Sequence, residues 1–128
     1  MRYLLDTHAF IWLDSVPVNL STKVTAICKD PANLLFISVA SIWEMQIKIN
    51  AGKLTLPKPL SEIIQWQREN NAIQTLSVNL PHIFALDKLP PYHRDPFDRI
   101  LISQAQLENL TILSRDTEFA AYPVTVVW

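Results

Sequence analysis

Short apolar runs alternate along this chain with longer stretches in which apolar residues return every three or four positions. The first pattern is that of buried strands and the second that of helices with one face on a core. Five runs predict strands: Arg2 to Leu5, Leu34 to Ile37, Ile73 to Val78, Thr111 to Ser114 and Val124 to Val127. Between them, His8 to Leu13 predicts a helical turn or two. Thr22 to about Lys29 predicts a helix capped by Ser21 and closed by Asp30-Pro31. Val39 to Asn50 carries Ile42, Trp43, Met45 and Ile49 on helical spacing, and Gly52 follows where a left-handed residue ends a helix. A proline-stiffened connector, Lys53 to Pro59, leads to a helix over Leu60 to Asn70 with Ser61 as its candidate cap. Pro81 to Leu86 predicts a short helix ahead of the irregular stretch Leu89 to Arg94. Asp95-Pro96 is a strong helix start, cap followed by proline, for a segment reaching about Asn109.

Strands separated by helices require crossover connections, and right-handed crossovers build a parallel sheet covered on both faces. The expected fold class is therefore α/β, a three-layer α/β/α arrangement around a mainly parallel sheet of about five strands. In such sheets ligands bind beyond the carboxyl ends of the strands, where the winding reverses. Asp6 follows the first strand and Asp116 follows the fourth, so both acids face that edge if these strands are neighbours.

Length and composition narrow the classes. The 128 residues, at 49% hydrophobic and 18% charged, fit one domain over 1–128 with a real core and argue against disorder. The longest mostly apolar stretch, Leu34 to Trp43, is broken by Ser38 and Ser41 and is too short to span a bilayer. Asp6 interrupts the N-terminus before a signal core could form, so a soluble cytoplasmic protein with no membrane partner is expected. Cys28 is the one cysteine, which excludes an intrachain disulfide and a cysteine zinc cluster; among Val24 and Ile27 it reads as a packed thiol. His8, His82 and His93 lack zinc-protease spacing, and a single glycine, Gly52, excludes the glycine-rich phosphate and dinucleotide loops.

Net charge is −1, a poor signature for a nucleic-acid binder until the acids are considered separately. Setting aside Asp6, Glu44, Asp98 and Asp116 raises −1 to +3 for the rest of the chain, leaving Lys48, Lys53, Lys58, Arg94, Arg99 and Arg115 to meet phosphates. Each of the four acids sits beside an apolar element. Carboxylates gathered out of water repel one another unless a cation joins them, and a divalent ion held by oxygen donors resolves this best. A metal-dependent phosphodiester-cleaving site is the leading chemical reading.

Each acid also has a purely structural reading. Ser41-Ile42-Trp43-Glu44 matches a capping box, with Glu44 turned back to the cap; if Ser38 caps instead, Glu44 lies in the second turn beside Ile47 and Lys48. Asp98 in the first turn suits the helix dipole, Asp95 is assigned to capping, and Asp116 could cap the turn Thr117 to Ala121. Asp6, followed by Thr7 and His8 rather than by a turn residue, has little structural use. Ser114 is placed to orient Asp116 from behind. His8 reads as structural before ligand-contacting, and His93 with Arg94 as a solvated loop. Trp12, Trp43 and Trp66 read as core or partner-interface residues.

Taken together, Leu4-Leu5-Asp6-Thr7-His8, Ser41-Ile42-Trp43-Glu44, Asp95-Pro96-Phe97-Asp98-Arg99 and Ser114-Arg115-Asp116 resemble the PIN-domain nucleases, with the nearest match in the VapC-like toxins of type II toxin–antitoxin systems. The resemblance runs from the first strand to Val127. It implies that Asp6, Glu44, Asp98 and Asp116 form the metal site, with Ser114 as the family's hydroxyl residue before the last acid. It also implies Mg²⁺ or Mn²⁺, an RNA substrate, frequent homodimerisation and inhibition by a cognate antitoxin protein. Thr7, His8, His93, Lys48 and Arg99 are secondary candidates for supporting the acids or touching substrate; Arg99 is expected to pair with the acids or approach phosphate. The chemistry suits two ions about 3.5–4 Å apart, one activating water and one on the leaving oxygen. Three rival readings stand beside an endoribonuclease toxin: a housekeeping RNA-processing nuclease, a non-catalytic binding module, and an aspartyl-phosphate phosphatase. The phosphatase wants a second acid two residues after the first, where this chain has His8.

Overall fold

A computed structural model describes residues 1–128. Strand β1 (Arg2–Leu5) leads into helix α1 (Thr7–Ser15), then α2 (Thr22–Lys29), β2 (Leu34–Ser38) and α3 (Val39–Asn50). Helix α4 (Leu60–Asn71), β3 (Gln74–Leu76), α5 (Leu80–Phe84), α6 (Pro96–Glu108), β4 (Thr111–Leu113) and β5 (Val126–Val127) complete the order. The sheet runs β3-β2-β1-β4-β5, and every pairing in it is parallel. The expected α/β class and three-layer arrangement are present.

The central strand sets the layers. Leu4 and Leu5, both 0% exposed, point to opposite sides, as successive strand residues must. Leu5 joins Phe10 of α1, Val24 of α2, Met45 of α3 and Ile63 of α4 in one core. Leu4 joins Phe36, Ile112 and the α6 residues Leu101 and Ile102 in a second. Burying one such side chain contributes about 1.5–3 kcal/mol, so two full cores hold the sheet between helical layers. Winding goes from β1 to β2 and β3 on one side, then returns to β4 on the other side of β1. The reversal therefore falls between β1 and β4, and the Asp6 amide donates to the Leu113 carbonyl at 3.1 Å, extending that pairing by one residue.

Several element boundaries differ from expectation for local reasons. Helix α1 begins one residue earlier than its apolar pattern suggested because Asp6 caps it, its carboxylate accepting from the Ala9 amide at 2.8 Å; it ends two residues later, where the Val16 amide donates to the Trp12 carbonyl. Ser61 does not cap α4; the helix starts after Pro59, whose carbonyl accepts from the Glu62 and Ile63 amides, with no side-chain cap. The strand expected over Ile73 to Val78 shortens to three residues, and the last strand to two. Pro81 to Leu86 divides into α5 and a 3₁₀ turn over Ala85–Lys88. Gly52 is left-handed at φ 72°, as its place after α3 demanded. No helix is long and apolar enough to cross a membrane.

Candidate metal centre at the sheet reversal

All four acids are delivered to the carboxyl edge by the elements just described. Asp6 ends β1 and starts α1; it is 5% exposed, and besides the Ala9 amide its other carboxylate oxygen accepts from the Ser114 hydroxyl at 2.5 Å. The expectation that Asp6 lacked a structural role is corrected: one oxygen caps α1 while the other is held from β4's end. Ser114 also accepts from the Asp116 amide at 2.9 Å. It thus spans the reversal, tying the first acid to the turn that carries the last. Its hydroxyl serves Asp6 directly and touches Asp116 only through the backbone, where sequence reasoning had it orienting the Asp116 carboxylate.

Glu44 is resolved in favour of the second-turn reading. Ser38 caps α3, accepting from the Ala40 amide at 3.1 Å, and the buried Ser41 hydroxyl has no partner. Glu44, 5% exposed, accepts from the Thr7 hydroxyl at 2.6 Å and from Lys48 Nζ at 2.8 Å, one turn along the helix. Thr7 is therefore the residue that holds α1 to this carboxylate, and Lys48 is an ion-pair partner of the acid.

Asp98 lies in the first turn of α6, which Asp95 caps through the Phe97 and Asp98 amides. Its carboxyl is pushed up to about 7, first by burial and next by the neighbouring charge of Asp95; Glu44 and Asp6 push in the same direction, opposed by His93. Asp6 is also raised, by burial and by the charge of Asp116, against the lowering effect of its two hydrogen bonds. These mutual influences show that residues 6, 44, 98 and 116 share one electrostatic neighbourhood. Asp116 doubles as cap of the 3₁₀ turn Thr117–Ala121, accepting from the Glu118 amide.

His93 was expected on a solvated loop; it is 6% exposed and sits inside the acidic group. Its Nδ1 accepts from the Asp95 amide at 3.2 Å, which assigns the ring proton to Nε2. From there it donates toward Asp98 and Asp116 at 3.2 Å each and Glu118 at 3.4 Å. One oxygen from each of Asp98 and Asp116 and one nitrogen of His93 lie within 4.8 Å of one another. The Leu89 to His93 loop is pinned by residues without charge partners in the site. The Tyr122 hydroxyl accepts from the His93 amide and donates to the Pro90 carbonyl, and Arg99 donates to the carbonyls of Leu89, Pro90 and His93. The expectation for Arg99 is thus corrected: its guanidinium is spent on loop carbonyls and makes no ion pair with the acids. No periodicity in the sequence marks Tyr122, because its role is to meet a loop 32 residues away. His8 is exposed and packs on Trp12, while Arg94 is exposed on the loop.

The donors are hard carboxylate oxygens, with His93 Nε2–H held against them as a hydrogen-bond donor and no thiol nearby, since Cys28 lies in α2 against the Leu5 core. Such donors suit Mg²⁺ or Mn²⁺. Two acids whose ionisation is opposed by burial and by neighbouring carboxylates are what a cation would relieve, so the residues fit a divalent ion.

The sequence model of the PIN-domain family matches residues 3–124. The chain belongs to the PIN-domain family. Among solved structures, the fold is similar to that of VapBC2 from Rickettsia felis, crystallised bound to a DNA fragment from their promoter, with TM-score 0.72, 16% identity, and 99% of this chain and 98% of that chain covered. FitAcB from Neisseria gonorrhoeae aligns at TM-score 0.63 and 19% identity over 100% of this chain and 97% of that one. A toxin–antitoxin complex from Klebsiella pneumoniae aligns at TM-score 0.58 and 22% identity, covering 98% and 96%. A search of curated proteins finds no sequence match. At these identities the neighbours establish that the PIN fold spans the chain.

Proposed function

We propose that this PIN-domain protein is a divalent-metal-dependent endoribonuclease and the toxin of a toxin–antitoxin pair. The observation that carries the reading is that acids up to 110 positions apart in sequence are tied together at one sheet edge: Asp98 and Asp116 lie within 4.8 Å of each other, Ser114 links Asp6 to the Asp116 turn, and Thr7, next to Asp6, holds Glu44. PIN-domain proteins are generally hydrolases of nucleic acids, and toxin–antitoxin complexes among the structural neighbours support a partner protein. The same reading puts the protein in the cytoplasm.

In this reading all four acids hold the ion or ions. Mg²⁺ or Mn²⁺ supplies Lewis acidity at the phosphate and a nucleophile at neutral pH. Ser114 and the Ala9 amide fix both Asp6 oxygens, so its remaining lone pairs present one geometry. Thr7 does the same for Glu44, and Lys48 reduces the charge that Glu44 adds to the group. His93 keeps Asp98 and Asp116 turned toward each other through Nε2–H.

A homodimer is part of the proposal. Val39, Trp43 and Ile47 are all more than 40% exposed and fall four apart on α3, forming an exposed apolar stripe in which Trp43 meets Phe97 edge-on; Leu80, Ile83 and Phe84 expose another patch on α5. Contiguous apolar surface of this kind marks an interaction face.

The deciding experiment incubates purified protein with mixed RNAs in Mg²⁺, Mn²⁺ or EDTA. Cleavage in either metal, none in EDTA, and none by folded Asp6→Asn are expected. Asparagine still caps α1, so the fold should persist. Full activity in Asp6→Asn, or in EDTA, would overturn the assignment.

A further inference from the structure

Beside the acids, a cleft of about 290 Å³ is lined by Asp6, His8, Trp12, Arg115 and Asp116. Two acids of the metal centre form one wall. His8 and Trp12, four apart on α1, form the other, and Arg115 enters from the turn after β4. Arg115 is flanked in sequence by Ser114, which holds Asp6, and by Asp116, and it lines the cleft with both acids, yet it makes no hydrogen bond or salt bridge. Its guanidinium carbon instead sits 4.9 Å from the Trp12 ring centroid. Trp12 is backed by an edge contact from Trp128 at 5.7 Å, and His8 tilts against it at the same distance.

A guanidinium held over an indole and engaged in no hydrogen bond keeps its N–H donors free, and those donors are what recognise phosphate. An arginine next to carboxylates would ordinarily be taken up by them. Here the aromatic platform holds the cation in the cleft while the acids remain available for metal. The His8 ring, exposed and without a hydrogen-bond partner, offers a stacking surface at the mouth.

We propose that this cleft is a nucleotide subsite: Arg115 receives the phosphate next to the scissile one, and His8 stacks the attached base. The proposal rests on the nuclease reading and adds to it one specified contact on each side of the ribose. It requires an unpaired strand, because a base in a duplex cannot turn its face to a side chain.

The test measures binding separately from cleavage. In an Asp98→Asn background, which removes an acid outside this cleft, a labelled single-stranded RNA oligonucleotide is titrated in Mg²⁺ by anisotropy over a range of salt. Adding Arg115→Gln should weaken binding about tenfold and reduce the slope of log K against log salt by about 0.7, the signature of one lost phosphate contact on a single strand. Arg115→Lys keeps the charge but not the planar fork, so the slope should recover while affinity recovers only in part. His8→Ala should lower affinity with the slope unchanged. Lys29→Gln, which removes the same charge from α2, should change neither. An Arg115→Gln variant with wild-type affinity and slope, in a protein that cleaves RNA, overturns the subsite and leaves the nuclease reading intact. Absence of single-stranded RNA binding overturns the subsite as well, and absence of cleavage alone counts against the nuclease reading only.

Discussion

Replacing Asp98 by asparagine should make the metal-free protein more stable while removing its metal response. The native carboxyl is raised from 3.8 to about 7, chiefly by burial and by the charges of Asp95, Glu44 and Asp6. At about 1.36 kcal/mol per pKa unit, ionising it in the folded state costs about 4 kcal/mol. Solvent still reaches 20% of the side chain, and screening reduces the recoverable part to about 1–2 kcal/mol. The sign follows from proton binding. The native chain holds this proton more tightly than the unfolded chain, so the stability it contributes is full below pH 3.8 and is lost as pH rises through about 7. Asparagine never ionises, so its advantage should be small near pH 4 and largest above pH 7. For a chain of this size, about 1–2 kcal/mol corresponds to roughly 3–10 °C in Tm. Thermal unfolding in EDTA at pH 4.5, 6 and 8 measures this directly. Millimolar Mg²⁺ should then stabilise the wild type at pH 8 by mass action and leave Asp98→Asn unmoved. An asparagine variant less stable than wild type at pH 8 without metal, or a gain that does not change with pH, would refute the electrostatic argument.

Three further outcomes are expected. Ser114→Ala removes the hydroxyl that holds Asp6 and caps the Asp116 amide; it should cost about 1–3 kcal/mol in urea unfolding and weaken Mn²⁺ binding at least tenfold by calorimetry, and unchanged metal affinity would contradict the positioning role. Arg99→Ala should release the Leu89 to His93 loop and cost about 1–3 kcal/mol, with Arg99→Lys restoring little because one ammonium cannot span three carbonyls; loss of activity with full stability would return Arg99 to the site. Trp43→Glu places a charge in the α3 stripe and should convert a dimer to a monomer in light scattering, whereas an unchanged mass would place the interface elsewhere.

Much of this molecule was written locally. The periods of the apolar residues located every strand and helix core, since burial of one face forces a period of two or 3.6. Asp95-Pro96 named the start of α6 because a cap and a proline act on their own backbone. Strand–helix alternation implied a parallel sheet, and hence the edge at which Asp6 and Asp116 would meet. Chain ends of elements were less legible: strands β3 and β5 stop where a neighbour's hydrogen bonds stop, which no property of their own residues encodes. Tertiary structure alone decided which side chains serve which. Arg99 looks like a phosphate ligand in sequence and is consumed by three carbonyls; His93 looks like a solvated loop residue and is buried among acids. Glu44 could be a cap or a ligand until Ser38 took the cap and Thr7 arrived from α1. Sequence specifies what a residue can do within a few positions, whereas the use of a charge depends on partners brought close only when the sheet closes, because electrostatic and hydrogen-bond energies fall off over a few ångströms of space rather than of chain.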